Sequence, residues 1–126
     1  MNFPKDLKYT ADHEWVRCDG EHCYIGITDH AQNELGEIVY VDVDCMDEEF
    51  GQGEVFGSIE AVKTVADMIM PVAGKVVAIN EELADAPELV NSDPYGKGWI
   101  IAIEGADEDQ FKALMSADAY TEMIGK

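Results

Sequence analysis

A single lysine, Lys63, lies between two β-prone runs of the sequence, and its amine is the group best placed to do chemistry. Val62 and Val65 flank it, and the nearest acids along the chain are Glu60 and Asp67. A lysine amine is an acceptor for covalent modification, although most turn lysines are simply solvated. From these residues alone, both a solvated lysine and a chemically used amine stay open.

The other residues with chemical potential are three histidines, three cysteines and many carboxylates. No histidine stands in a recognisable nucleophile motif, and no glycine-rich phosphate loop precedes a helix. A hydrolase stays an alternative, because catalytic triads are defined by geometry rather than by spacing. A zinc site would lack the close paired spacing of structural ligands, and we predict neither a catalytic residue nor a metal site. The residues weighed for these sites are His13, His22, His30, Cys18 and Cys23.

The cysteines are odd in number, which suits free thiols in a reducing compartment better than a disulfide framework. Cys18 and Cys23 flank the turn signal Asp19-Gly20, so they face each other if a hairpin forms there. They could then pair under oxidation. We take the thiol state as the default.

The elements that position Lys63 are predicted to be mostly short strands. Alternating or β-branched runs predict strands, and a helix begins after Thr28 or Asp29 and ends at Gly36 in a left-handed conformation. Pro71 marks an edge or a bend in the strand that returns from Lys63. The predicted strands cover residues 13–17, 23–27, 37–43, both sides of Lys63, 75–79 and 98–103, and the predicted helix covers residues 31–35.

The C-terminal part changes to a helical period. One apolar face holds Phe111, Leu114 and Met115, and a second holds Tyr120, Met123 and Ile124, with Ser116 as a cap between them. Trp99 is predicted to be a large buried anchor. The fold predicted is mainly β, a two-sheet β-sandwich or flattened barrel with short helices, two of them C-terminal. We expect one domain over residues 1–126, with its core at about 9–104 and a helical segment at about 107–124.

The charge of the chain limits its partners. Eight Lys and Arg oppose twenty-seven Asp and Glu, which gives a formal net charge of −19. Such a surface repels nucleic acid and anionic membranes, and it is attracted to basic docking surfaces. We read no apolar membrane span and no signal or transit segment, so a cytoplasmic location of bacterial type is expected.

Short motifs spread from about residue 9 to residue 120 match a known family in the right order. They are His13-Glu-Trp, Gly26-Ile-Thr-Asp-His-Ala-Gln32, Leu35-Gly-Glu-Ile-Val-Tyr-Val41, Glu60-Ala-Val-Lys63, Pro71-Val-Ala-Gly74, Pro87-Glu-Leu-Val-Asn91 and Asp93-Pro-Tyr-Gly96 with Gly98-Trp99. Together they resemble the H protein family of the glycine cleavage system, whose fold is of the lipoyl/biotinyl carrier type. Ala61 and Thr64 stand where the family usually has serine and alanine, and Asp12 is an unusual acid before His13. These departures leave the acceptor amine in place.

The resemblance implies a non-catalytic carrier with lipoic acid covalently attached to Lys63. Such a carrier shuttles the aminomethyl group of glycine from the pyridoxal-phosphate glycine decarboxylase (P protein) to the tetrahydrofolate-dependent aminomethyltransferase (T protein). A dihydrolipoyl dehydrogenase (L protein) then reoxidises the dithiol. The resemblance also implies that Glu60, Val62 and Thr64 are read by the lipoylating enzyme. We expect a monomer between partners.

The resemblance also implies a cleft for the loaded lipoyl arm, which includes Glu14 and Asp67. A carboxylate would pair with the protonated amine on the arm, and an aminomethyl group sheltered from water would be lost more slowly between enzymes.

Three alternatives stay open. A biotinyl carrier uses a similar hairpin with Met-Lys-Met at its tip, whereas Val62 and Thr64 flank Lys63 here. A lipoyl domain of a 2-oxoacid dehydrogenase is usually followed by a linker and further domains. An H-like protein that relays lipoyl groups to other enzymes shares every motif.

Overall fold

The computed structural model describes residues 2–125, which form two antiparallel sheets with short helices around them. One sheet has six strands in the order β1-β2-β3-β9-β8-β5, and the other has three in the order β4-β6-β7. The predicted fold class is confirmed. The strands are β1 Lys8–Tyr9, β2 Glu14–Asp19, β3 His22–Ile27, β4 Ile38–Asp42, β5 Glu49–Phe50, β6 Val55–Ala61, β7 Val65–Ile69, β8 Gly74–Ile79 and β9 Ile101–Glu104.

Within residues 2–125, five short helices connect and flank the sheets: α1 Asp29–Leu35, α2 Glu82–Asp85, α3 Leu89–Ser92, α4 Glu108–Ala113 and α5 Ala117–Met123. The Thr28 hydroxyl caps α1 by accepting from the Ala31 N–H, and Gly36 ends that helix with φ 82°. Ser116 caps α5 in the same way. Both caps are as predicted, because a hydroxyl at the N-cap satisfies a terminal backbone group locally. Gly36 has the predicted positive φ, but its ψ of −154° is extended rather than that of a left-handed helix.

The main core fills the space between the two sheets with aliphatic side chains such as Ile25, Ile59 and Ile101. A second cluster packs α5 against β1 and β2 through Tyr9, Trp15 and Tyr120. The prediction that Trp99 is a large buried anchor is wrong. Trp99 is only half-buried and meets the Tyr24 ring edge to face, with centroids 5.2 Å apart, whereas Trp15 is fully buried.

The C-terminal helices differ from the predicted pattern in two ways. Helix α4 ends at Ala113 because Met115 exchanges two backbone hydrogen bonds of 2.9 Å with Tyr9, which requires extended backbone. Leu114 and Met115 therefore lie beyond the end of the helix in which they were predicted to be. Tyr120 is buried as predicted, but Met123 is 44% exposed.

Cys18 and Cys23 are joined by a disulfide, so the thiol state taken as the default is wrong for this pair. They are directly opposite each other on β2 and β3. Cys45 is a buried free cysteine, and burial raises the pKa of its thiol to about 11.

None of the helices within residues 2–125 is long and apolar enough to cross a membrane.

Candidate functional site

Lys63 lies in the turn between β6 and β7, which we call the lysine turn (residues 61–64). The N–H of Ala61 donates to the carbonyl of Thr64 at 2.8 Å and closes the turn. Neither Val62 nor Lys63 has a positive φ, so the turn needs no glycine and accepts a β-branched residue. The sequence prediction of a hairpin with Lys63 at its tip is confirmed.

The lysine turn is anchored to the segment that follows α1. The Val62 N–H donates to the carbonyl of Glu37 at 3.1 Å, and Ile38 is opposite Ala61 in the three-stranded sheet. The turn is thus held at its tip as well as at its base. Sequence reasoning missed this support, because a backbone carbonyl at position 37 leaves no side-chain signal.

Lys63 is exposed, and its amine has no ionic partner among the residues that the structure describes. The only ion pair within residues 2–125 joins Lys5 and Asp118 at 3.9 Å. Val62 and Val65, on either side of Lys63, are 65% and 58% exposed. A free amine between exposed apolar side chains can be reached by another protein and acylated without breaking a native interaction.

The residues predicted to be read by a lipoylating enzyme surround the amine. Glu60, Val62 and Thr64 are all exposed, and Glu60 lies between Tyr40 and Val65 across the three strands. Tyr40 is exposed as well. The lysine turn and the strands beside it therefore present one acid and several apolar side chains near Lys63.

Glu14 is a buried carboxyl group at the start of β2 and is only 3% exposed. Its Oε2 accepts a hydrogen bond from the Ile69 N–H at 2.7 Å, while its Oε1 has no partner within the described residues. Burial raises the pKa of Glu14 to about 8, against the lowering effect of the Ile69 hydrogen bond. Most of this group is therefore protonated at neutral pH.

Asp67 lies on the same strand as Ile69, two residues closer to the lysine turn. Its side chain is exposed, and Ser58 is opposite it on β6. Glu14 and Asp67 make no hydrogen bond to each other, but Asp67 lies on β7 and Glu14 is hydrogen-bonded to that strand. The two acids differ sharply in environment, which their sequence positions did not indicate.

His13 helps to set the position of Glu14. It has φ 67°, an uncommon left-handed conformation for a residue other than glycine, immediately before the buried carboxyl. Its Nδ1 is 2.8 Å from the Tyr120 hydroxyl, which is also 2.9 Å from the Thr28 hydroxyl. Burial and the neighbouring His30 ring lower the pKa of His13. Within residues 2–125, no group of three or more acidic, histidine or cysteine side chains could hold a metal ion.

Two comparisons with known proteins agree with this geometry. A family model described as glycine cleavage H-protein matches residues 7–126. The crystal structure of a glycine cleavage system H protein from Mycobacterium marinum is also similar, with 35% sequence identity and a TM-score of 0.88. That match covers 98% of this chain and 99% of the other.

Proposed function

Because this chain belongs to the glycine cleavage H-protein family, whose members are non-catalytic lipoyl carriers, we propose that Lys63 is the residue that carries the lipoyl group. The observation that supports this proposal most is the exposed Lys63 amine, unpaired within residues 2–125, on the anchored lysine turn. Acylation of that amine costs no native hydrogen bond or ion pair. The residues present therefore fit a lipoyl-lysine.

The protein functions as the lipoyl carrier of the glycine cleavage system, whose P, T and L proteins are its partners. The chemistry that a lipoyl group supplies when attached is a disulfide that accepts the aminomethyl group of glycine. The chain itself supplies a fixed point of attachment, surfaces for the partners and shelter from water. The strongly acidic surface favours partners with basic docking faces.

We also propose that a lipoylating enzyme reads Glu60, Val62 and Thr64, since all three are exposed beside the amine. The protein is proposed to act in the cytoplasm as a monomer between partners. It is also proposed to bind neither nucleic acid nor membranes, because its net charge of −19 repels phosphate.

A cleft along β7 is proposed to hold the loaded arm between Glu14 and Asp67. Glu14 contributes Oε1, a buried carboxyl oxygen with no partner among residues 2–125, and its usual protonated state keeps the empty cleft free of a buried charge. A cationic amine that reaches Oε1 favours the ionised form of Glu14, so this carboxyl group loses its proton when the cation lies beside it. Asp67 contributes an exposed acid farther along the same strand toward Lys63.

The proposed attachment site is tested by reconstituting glycine oxidation with the P, T and L proteins and following glycine-dependent NADH formation. The lipoylated wild type should support turnover, whereas Lys63→Arg, which keeps the charge but removes the acylatable amine, should not. Lys75→Arg, on β8, is the matched control and should match the wild type. Turnover by Lys63→Arg would refute the proposed site.

A further inference from the structure

We propose that Asn91 is a positioning residue for the lysine turn, acting through a single peptide group. Asn91 lies on α3, and its side chain makes three hydrogen bonds. Its Oδ1 accepts from the Ile38 N–H at 2.9 Å, and its Nδ2 donates to the Gly36 carbonyl at 2.8 Å and to Gln32 Oε1 at 2.9 Å. Both N–H donors of the amide are therefore used.

The peptide group between Glu37 and Ile38 links Asn91 to the lysine turn. Its N–H donates to Asn91 Oδ1, and its carbonyl accepts from the Val62 N–H at 3.1 Å. Because a peptide group is planar and trans, its N–H and C=O point in opposite directions, so fixing one fixes the other. Asn91 thereby determines where the acceptor for Val62 lies.

The two remaining bonds of Asn91 hold the preceding residues. The Gly36 carbonyl and the Gln32 side chain belong to the end of α1, and the Gly36 N–H donates back to the Gln32 carbonyl at 2.9 Å. The segment on both sides of Glu37 is thus fixed to α3. A chain of hydrogen bonds with aligned dipoles strengthens each member, so losing Asn91 weakens the Val62 bond as well.

The consequence concerns Lys63, which directly follows Val62. With Val62 held, the backbone of the lysine turn is restrained where Lys63 begins, which lowers the ordering cost when an enzyme binds the turn. This functional consequence rests on the proposed attachment at Lys63. The mechanical claim, that Asn91 protects the Val62 N–H, does not rest on it.

Asn80 offers a matched control. It is another structural asparagine with three side-chain hydrogen bonds, to the carbonyls of Lys97 and Trp99 and from the Glu82 N–H. None of these partners belongs to the lysine turn or to the segment that supports it. Asn80→Ala therefore removes an equal number of hydrogen bonds elsewhere.

The test is amide hydrogen exchange measured residue by residue by NMR in the wild type, Asn91→Ala and Asn80→Ala. In Asn91→Ala, exchange at Val62 should be at least about tenfold faster relative to Ala61, whose own bond to Thr64 stays intact. Asn80→Ala should leave that ratio unchanged. An unchanged ratio in Asn91→Ala, or an equal change in both variants, would overturn the proposal.

A measurement on the unmutated protein covers the case in which Asn91→Ala does not fold. A through-hydrogen-bond scalar coupling should join the Val62 nitrogen to the Glu37 carbonyl carbon, and another should join the Ile38 nitrogen to the Asn91 side-chain carbonyl carbon. Absence of the second coupling overturns the positioning role.

Lipoylation kinetics supply the functional readout. For Asn91→Ala, the KM of the lipoylating enzyme for the carrier should rise several-fold with kcat close to that of the wild type, because ordering is then completed on binding. Asn80→Ala should change neither constant. If Asn91→Ala changes the exchange at Val62 but the enzyme modifies another lysine, the Lys63 site is refuted. If the enzyme modifies Lys63 but the exchange at Val62 is unchanged in Asn91→Ala, the role of Asn91 is refuted.

Discussion

Glu14 Oε2 accepts a hydrogen bond from the Ile69 N–H at 2.7 Å, and this bond ties the start of β2 to the end of β7. It connects the six-stranded sheet to the hairpin that bears Lys63. The second oxygen of the same carboxyl group, Oε1, has no partner within the described residues. Glu14 therefore combines a structural bond with a free acceptor beside the hairpin.

The first prediction concerns the pH dependence of stability. The pKa of Glu14 is about 8 in the folded state and near 4.5 when unfolded, so the folded state holds the extra proton between these values. Stability from this group is complete below about pH 4.5 and is lost as the pH rises to about 8. Relative to Glu14→Gln, the wild type should lose about 3–5 kcal/mol of unfolding free energy across this range.

Urea unfolding of both proteins at several pH values measures this difference. Glu60→Gln, which removes an exposed carboxylate from β6 beside the lysine turn, is the control and should follow the wild type. Parallel pH profiles for the wild type and Glu14→Gln would show that Glu14 is not a buried carboxyl in the folded protein.

The second prediction concerns protection of the loaded arm. Carriers loaded with the aminomethyl group and separated from the other enzymes should release formaldehyde and ammonia roughly tenfold faster in Glu14→Gln, because a neutral amide cannot form an ion pair with the cationic amine. Asp67→Asn should show a smaller increase, since its exposed carboxylate is screened by water. Release rates equal to the wild type in both variants would exclude the proposed cleft.

The third prediction concerns the core. Ile101→Ala should lower the unfolding free energy by about 2–5 kcal/mol, because Ile101 is fully buried between the sheets. Trp15→Ala should cost more than Trp99→Ala, since only Trp15 is fully buried. Lys63→Arg should melt like the wild type. Thermal denaturation compares all four, and a large loss for Lys63→Arg would contradict an exposed turn lysine.

Features set by local sequence could be predicted well. The hairpin around Lys63, the Thr28 and Ser116 caps and the positive φ of Gly36 depend on a few neighbouring residues. Such residues satisfy backbone groups within their own turn, so their side-chain types indicate the structure directly.

Features set by contacts between residues distant in the sequence could not be predicted. The contact of Glu14 with Ile69 spans 55 positions, and the burial that raises its pKa comes from packing. Met115 leaves its helical period to pair with Tyr9, whose position in space the sequence does not reveal. Asn91 stood in a matched motif, but its bond to the Ile38 N–H leaves no mark on the sequence near Lys63.

The most direct test of the central claim is site-resolved mass spectrometry after treatment with a lipoylating enzyme and lipoate. The wild type and Lys75→Arg should each gain one lipoyl mass, located on the peptide that contains Lys63. Lys63→Arg should gain none. A lipoyl mass on Lys63→Arg, or on a peptide of the wild type without Lys63, would contradict the assignment of Lys63 as the attachment site.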